Sequence, residues 1–151
     1  MAYTHINILL ADDDKDDCLL FIEALDELQL QTTLTLVHDG EQLMQLLLKN
    51  SKNIFDVLFL DLNMPRKNGF ACFEEIKNND KLKSLPVIIF STSCDRSVAD
   101  QFYKKGAHHY ICKPADFSEL RKIIQKALLL ISEKNSSQPP KEKYLLRSLK
   151  S

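Results

Sequence analysis

Apolar residues fall into two alternating patterns along the chain. Short continuous runs of strand length, "INILLA" (6–11), "LTLVH" (34–38), "FDVLFL" (55–60), "PVIIF" (86–90) and "HYIC" (109–112), are separated by longer stretches with apolar positions at helical spacing. Those stretches cover 15–28, 40–50, 69–79, 96–106 and 117–131. In the first, Leu19, Ile22, Leu25 and Leu28 recur near helical spacing, and in the last Leu120, Ile123, Ile124 and Ala127 do. Five strands, each followed by a helix, predict right-handed crossovers and a parallel sheet. Runs such as "VLFL" and "VIIF" are apolar on consecutive positions, as strands buried on both faces require. The predicted fold class is therefore α/β, a three-layer α/β/α sandwich around a five-stranded parallel sheet.

The pattern stops after Ser132, where "SEKNSSQPPKEK" is polar and carries a Pro-Pro pair. We expect one domain over 1–132 and a polar C-terminal tail over 133–151. The closing "YLLRSLKS" has the spacing of a short amphipathic turn of helix, and five basic against two acidic residues give the tail a charge suited to docking on a partner.

Composition narrows the function. A chain of 151 residues with 44% hydrophobic content is long enough to bury one core. Twenty basic against 21 acidic residues leave no overall electrostatic footprint for nucleic acid. No apolar run approaches the ~20 residues that span a bilayer, and the N-terminus lacks a signal pattern, so a cytoplasmic protein is expected. Cys18, Cys72, Cys94 and Cys112 lack CxxC spacing, which argues against a zinc site or a disulfide framework and for mostly buried thiols.

In doubly wound sheets ligands bind beyond the carboxyl ends of the strands. Here the first strand runs into Asp12, Asp13 and Asp14, and the third into Asp61 within "LDLNMP". The fourth runs into Ser91, Thr92 and Ser93, and the fifth into Lys113 and Pro114. Carboxylates, hydroxyls and an ammonium thus gather at one edge.

An acidic pair after strand one, Asp-x-x-Met-Pro-x-x-x-Gly after strand three, a hydroxyl after strand four and Lys-Pro after strand five together resemble the receiver domain of two-component response regulators. The likeness covers about residues 5–131. It implies strand order 2-1-3-4-5 and a phosphorylation-dependent switch, a signalling phosphoacceptor rather than an enzyme acting on other substrates. "DLNMPRKNG" with "FSTS" looks like the stand-alone receivers that partner phytochrome-type histidine kinases.

Crowded carboxylates raise one another's pKa unless a cation shares the site, and an oxygen-only set suits a hard ion such as Mg²⁺. By resemblance Asp13 and Asp61 would ligate Mg²⁺ directly, with the backbone carbonyl of Asn63, and Asp12 would act mainly through ordered water. Asp14 is assigned to capping the first helix, with Asp16 and Asp17 favouring its N-terminus. Asp61 would take a phosphoryl group from the phosphohistidine of a histidine kinase or phosphotransfer protein, with Lys113 and Ser91 neutralising its oxygens. The resemblance also implies a cis Lys113-Pro114 bond, a switch role for Tyr110, and a homodimer through the face of helix four, strand five and helix five. Thr92 is expected to narrow access to Asp61. His108 and His109 are expected to be exposed or satisfied rather than catalytic, Phe55, Phe59, Phe70, Phe73 and Phe90 to be core, and Lys15, Arg66 and Lys67 to rim the edge.

Three other classes use parts of this pattern. A phosphohydrolase of the haloacid dehalogenase type wants a second acid two positions after its nucleophile, where this chain has Asn63. A flavodoxin-like module wants a hydroxyl- and glycine-rich phosphate loop where three carboxylates stand. A pseudo-receiver binding module would not need the complete set of Asp12, Asp13, Asp61 and Lys113.

Overall fold

The computed structural model describes residues 5–49, 54–133 and 138–147, so the parts of the helix expected at residue 50 and of the tail at 134–137 and 148–151 lie outside them. Strands and helices alternate as β1 (Ile6–Ala11), α1 (Lys15–Glu27), β2 (Thr32–Val37), α2 (Gly40–Lys49), β3 (Val57–Leu60), α3 (Gly69–Lys77), β4 (Val87–Ser91), α4 (Arg96–Lys104), β5 (His109–Cys112) and α5 (Phe117–Ser132). The first five strands lie in the order β2-β1-β3-β4-β5, all parallel.

Consecutive apolar positions are explained by two cores, one on each face of the sheet. Leu58 and Leu60 of β3, with Val87 and Ile89 of β4, face α2, α3 and α4. Val57 and Phe59, with Ile88 and Phe90, face α1 and α5. Phe21 of α1 meets Phe59 and Phe90 edge-on, with ring centroids 5.0 and 5.7 Å apart, a favoured arrangement for aromatic pairs. Four helices begin at side-chain caps, Asp14, Asn68, Asp95 and Asp116, each accepting from a backbone N–H of the first turn.

Four expectations are corrected. Residues 145–146 form no helical turn; after a short 3₁₀ turn (Lys141–Lys143), Leu145–Leu146 add a sixth parallel strand, β6, beside β5. Tyr144 drives this: it is buried, packs edge-on against Tyr103 of α4 at 4.8 Å, and its hydroxyl donates to the Ala99 carbonyl at 2.9 Å. Second, β2 begins at Thr32 rather than at the apolar Leu34, because the backbone of 32–33 pairs with Ile6 and Asn7. An edge strand needs no apolar side chain to make that ladder. Third, Phe70 is 44% exposed and lies against Phe102 from outside the core. Fourth, the Lys113-Pro114 bond is trans; the Lys113 ammonium reaches inward without the less favoured isomer.

Candidate functional site

Strand ends at the carboxyl edge of β1, β3, β4 and β5 carry the expected side chains. β1 pairs with β3, so the chain leaves both strands side by side, and Asp61 N–H donates to the Ala11 carbonyl at 2.9 Å. This brings carboxylate oxygens of Asp12, Asp13 and Asp61 within 4.8 Å of one another. Asp12 is fully buried, Asp61 is 6% exposed and Asp13 faces solvent. A helix approaches from the other side. Gly69 N–H donates to the Leu62 carbonyl at 2.9 Å, and a Cβ on Gly69 would lie 2.4 Å from the Asp61 carbonyl oxygen. Only glycine lets α3 start this close to the end of β3. Gly40 does the same for α2, where a Cβ would meet the Lys67 carbonyl.

The charges are unequal partners. Lys113 Nζ donates to Asp12 Oδ2 and to Asp17 Oδ2, both at 2.8 Å. Burial would lower the Lys113 ammonium, yet these bonds and the charges of Asp12 and Asp61 hold it above its ordinary value. Burial also pushes Asp61 up to about 7; the Lys113 ammonium opposes this and the neighbouring Asp12 charge adds to it. Asp12 is likewise raised, first by burial, with Lys113 pulling it down. Two buried carboxylates beside one ammonium are short of positive charge. The deficit, the all-oxygen donor set and the opening at Asp13 fit a divalent hard cation.

Asp17 has a second contact that the sequence does not announce. It lies in the first turn of α1 as expected, and Asp14 caps that helix, accepting from Asp16 N–H and Asp17 N–H at 2.9 and 3.1 Å. The Asp17 carboxylate, however, also reaches Lys113.

On the β4 side, Ser91 is buried and its hydroxyl oxygen accepts from Ser93 N–H at 3.1 Å. Tyr110, expected as the switch, is fully buried on the α4 face; its hydroxyl donates to the Ser93 carbonyl at 2.8 Å. Asn63 N–H lies 3.5 Å from Asp61 Oδ1, and Thr92 is exposed at the mouth of the loop. Two of the three rim basic residues are engaged: Arg66 faces Asp39 at 3.6 Å and Lys67 pairs with Glu75. Arg66 itself has φ of 69°, a strained conformation of the kind found in functional loops. His108 and His109 are both buried, and His109 Nδ1 is 3.1 Å from the Tyr144 carbonyl. No helix among the described residues is long and apolar enough to cross a membrane.

Known proteins share this fold. The model of the response regulator receiver domain family matches residues 8–125. Response regulator Rcp1 of Synechocystis sp. is 32% identical over 123 residues, covering 78% of this chain and 83% of that protein. The crystal structure of the Mn(2+)-bound form of response regulator Rcp1 has a TM-score of 0.75 at 27% identity, covering 89% of this chain and 99% of that one. The phosphorylated cyanobacterial phytochrome response regulator RcpA has a TM-score of 0.76 at 30% identity, covering 91% and 100%. With the acidic cluster, the paired lysine and the glycine-tight third strand end in place, this chain belongs to the response regulator receiver domain family.

Proposed function

We propose that the chain is a phosphorylation-dependent signalling switch in which Asp61 accepts a phosphoryl group from a phosphohistidine on a sensor histidine kinase or phosphotransfer protein. The observation that carries this is the convergence of Asp12, Asp13 and Asp61 within 4.8 Å, with the Lys113 ammonium bonded to Asp12. In the transfer, the N–P bond of the phosphohistidine breaks as a bond forms between phosphorus and an Asp61 carboxylate oxygen. The departing imidazole keeps the electron pair and picks up a proton. Phosphoryl transfer through a loose transition state asks mainly for alignment and for neutralised equatorial oxygens.

Mg²⁺ would be held by the Asp13 and Asp61 carboxylates and the Asn63 backbone carbonyl, with Asp12 acting through water. Bound there, it supplies the positive charge that the two buried carboxylates lack. Lys113 serves a second phosphoryl oxygen by giving up part of its bonding to Asp12 and Asp17. The Ser91 hydroxyl serves a third by leaving Ser93 N–H, and the shift of Ser93, whose carbonyl holds the Tyr110 hydroxyl, frees Tyr110 to change its packing against α4. That sequence links charge at Asp61 to the shape of the α4–β5 face.

Output through protein contacts in the cytoplasm follows from this reading, with the kinase or phosphotransfer protein as the upstream partner. A homodimer through the face of α4, β5 and α5 would meet β6 rather than a bare β5 edge.

The direct test is intact mass after incubation with Mg²⁺ and acetyl phosphate. Wild type is expected to gain one phosphoryl group and Asp61→Asn none. Equal gain on both would reject Asp61 as the acceptor.

A further inference from the structure

Lys113 is held from two sides. It follows β5, its backbone N–H donates to the Ser91 carbonyl at 2.8 Å, and its ammonium stands 4.9 Å from the centroid of the Phe90 ring. From there Nζ donates to Asp12 Oδ2 and to Asp17 Oδ2, both at 2.8 Å. The two acceptors differ in kind. The Asp12 side chain is fully buried, whereas that of Asp17 is 29% exposed. Asp17 is not one of the three carboxylates that gather as the acidic cluster. Its place is fixed by α1: its N–H donates to Asp14 Oδ1 at 3.1 Å, and the next residue, Cys18, is buried with its thiol 3.5 Å from the Asp12 carbonyl.

A buried ammonium needs acceptors for its three N–H groups. Without the Asp17 carboxylate, the anions left to draw the ammonium are Asp12 and Asp61, whose charges both act on it. Those are the two buried carboxylates that lack positive charge. An ammonium drawn between them would neutralise the pair, and a divalent cation would have to displace it. With Asp17 in place the lysine is bonded on its outer side, and the space beside Asp13 and Asp61 stays open.

We propose that Asp17 is a positioning residue for phosphoryl transfer: its carboxylate tethers the Lys113 ammonium on the α1 side of Asp12, so that lysine and a divalent cation share the site instead of competing for it. The proposal rests on the phosphoacceptor reading and gives Asp17 no contact with metal or phosphoryl group. On loading, the bonding that Lys113 gives up is mainly the bond to Asp12, and the bond to Asp17 keeps the ammonium beside the new phosphoryl oxygens. Such charge-assisted bonds are strong enough to hold a flexible lysine stem in one place.

The test measures Mg²⁺ affinity of the full chain by calorimetry, in a double-mutant cycle of Asp17→Asn and Lys113→Met. Asp17→Asn alone is expected to weaken Mg²⁺ roughly tenfold, within the coupling found between residues of one bonded network. In the Lys113→Met background the same substitution should change affinity by less than about twofold, because no ammonium is released. Asp16→Asn removes an exposed charge from the same helical turn and should also stay within about twofold. Asp17→Glu keeps a carboxylate and should stay within about threefold. In loading from acetyl phosphate, the Mg²⁺ concentration for half-maximal rate should rise in Asp17→Asn, with the rate at saturating Mg²⁺ within about threefold of wild type.

Equal weakening by Asp17→Asn with and without Lys113 would overturn the tether, since Asp17 would then act only as a nearby charge. Unchanged affinity in Asp17→Asn, or a lower saturating rate with no shift in the Mg²⁺ requirement, would overturn it too. If Lys113→Met does not fold, the α1 variants decide: equal weakening by Asp16→Asn and Asp17→Asn rejects the tether. Wild type that binds Mg²⁺ yet gains no phosphoryl group would reject the phosphoacceptor reading, and the affinities would still show whether Asp17 tethers Lys113.

Discussion

Asp61 and Asp12 show how one buried site sets two requirements. Burial raises Asp61 to about 7 from an ordinary 3.8, so between those values the folded chain holds a proton that the unfolded chain releases. Metal-free stability from this group is therefore greatest at low pH, declines as pH rises from 3.8 to about 7, and is level above that. A divalent cation binds the ionised form, so its binding releases protons and strengthens through the same range. Melting temperatures should show a larger increase on adding Mg²⁺ at about pH 8 than at about pH 5; an equal increase at both would contradict the assignment. The exposed Thr92 stands at the loop that admits water or a donor. Thr92→Ala is expected to shorten the acyl-phosphate half-life roughly threefold, about 0.7 kcal/mol in the barrier, as measured by loss of the phosphorylated mass with time.

Elements hold these side chains through backbone contacts that tolerate little change. The close start of α3 against Asp61 makes Gly69 the sensitive position, because a Cβ there lands 2.4 Å from the Asp61 carbonyl oxygen. Gly69→Ala should cost about 1–3 kcal/mol in urea unfolding and should slow loading by displacing the strand end. At the other side, β6 depends on Tyr144. Tyr144→Phe removes only the bond to the Ala99 carbonyl and should cost about 1 kcal/mol. Tyr144→Ala also empties a packed position and should cost about 3–5 kcal/mol. Equal losses for the two variants would mean that packing against Tyr103 contributes nothing.

For the molecule as a whole, the segment after α5 returns to the sheet. The Gln138 side chain donates to the Tyr103 and Ala107 carbonyls at 2.6 and 2.7 Å, Tyr103 donates to the Pro139 carbonyl at 2.9 Å, and Tyr110 N–H donates to the Tyr144 carbonyl at 3.3 Å. The strand carrying Tyr110 is therefore covered on its outer edge by the chain's own C-terminal segment. Truncation after Glu133 should expose that edge and speed hydrogen exchange of the Tyr110 amide, leaving the amides of β1 and β3 protected. Unchanged exchange at Tyr110 would show that β6 does not persist in solution.

Most of the sheet and the outline of its acidic edge could be read from local pattern. Short continuous apolar runs of four to six residues suit strands covered on both faces, and a parallel sheet with crossover helices puts all its carboxyl ends together, so Asp12, Asp13, Asp61, Ser91 and Lys113 were legible as neighbours. What needed tertiary structure was every relation set by distance rather than by order. Asp17 joins Lys113 because α1 begins over the sheet edge, and Tyr144 makes β6 because its ring packs against Tyr103 of α4. Residues distant in sequence or on different elements leave no periodic signature, and only the packed chain brings them within bonding reach.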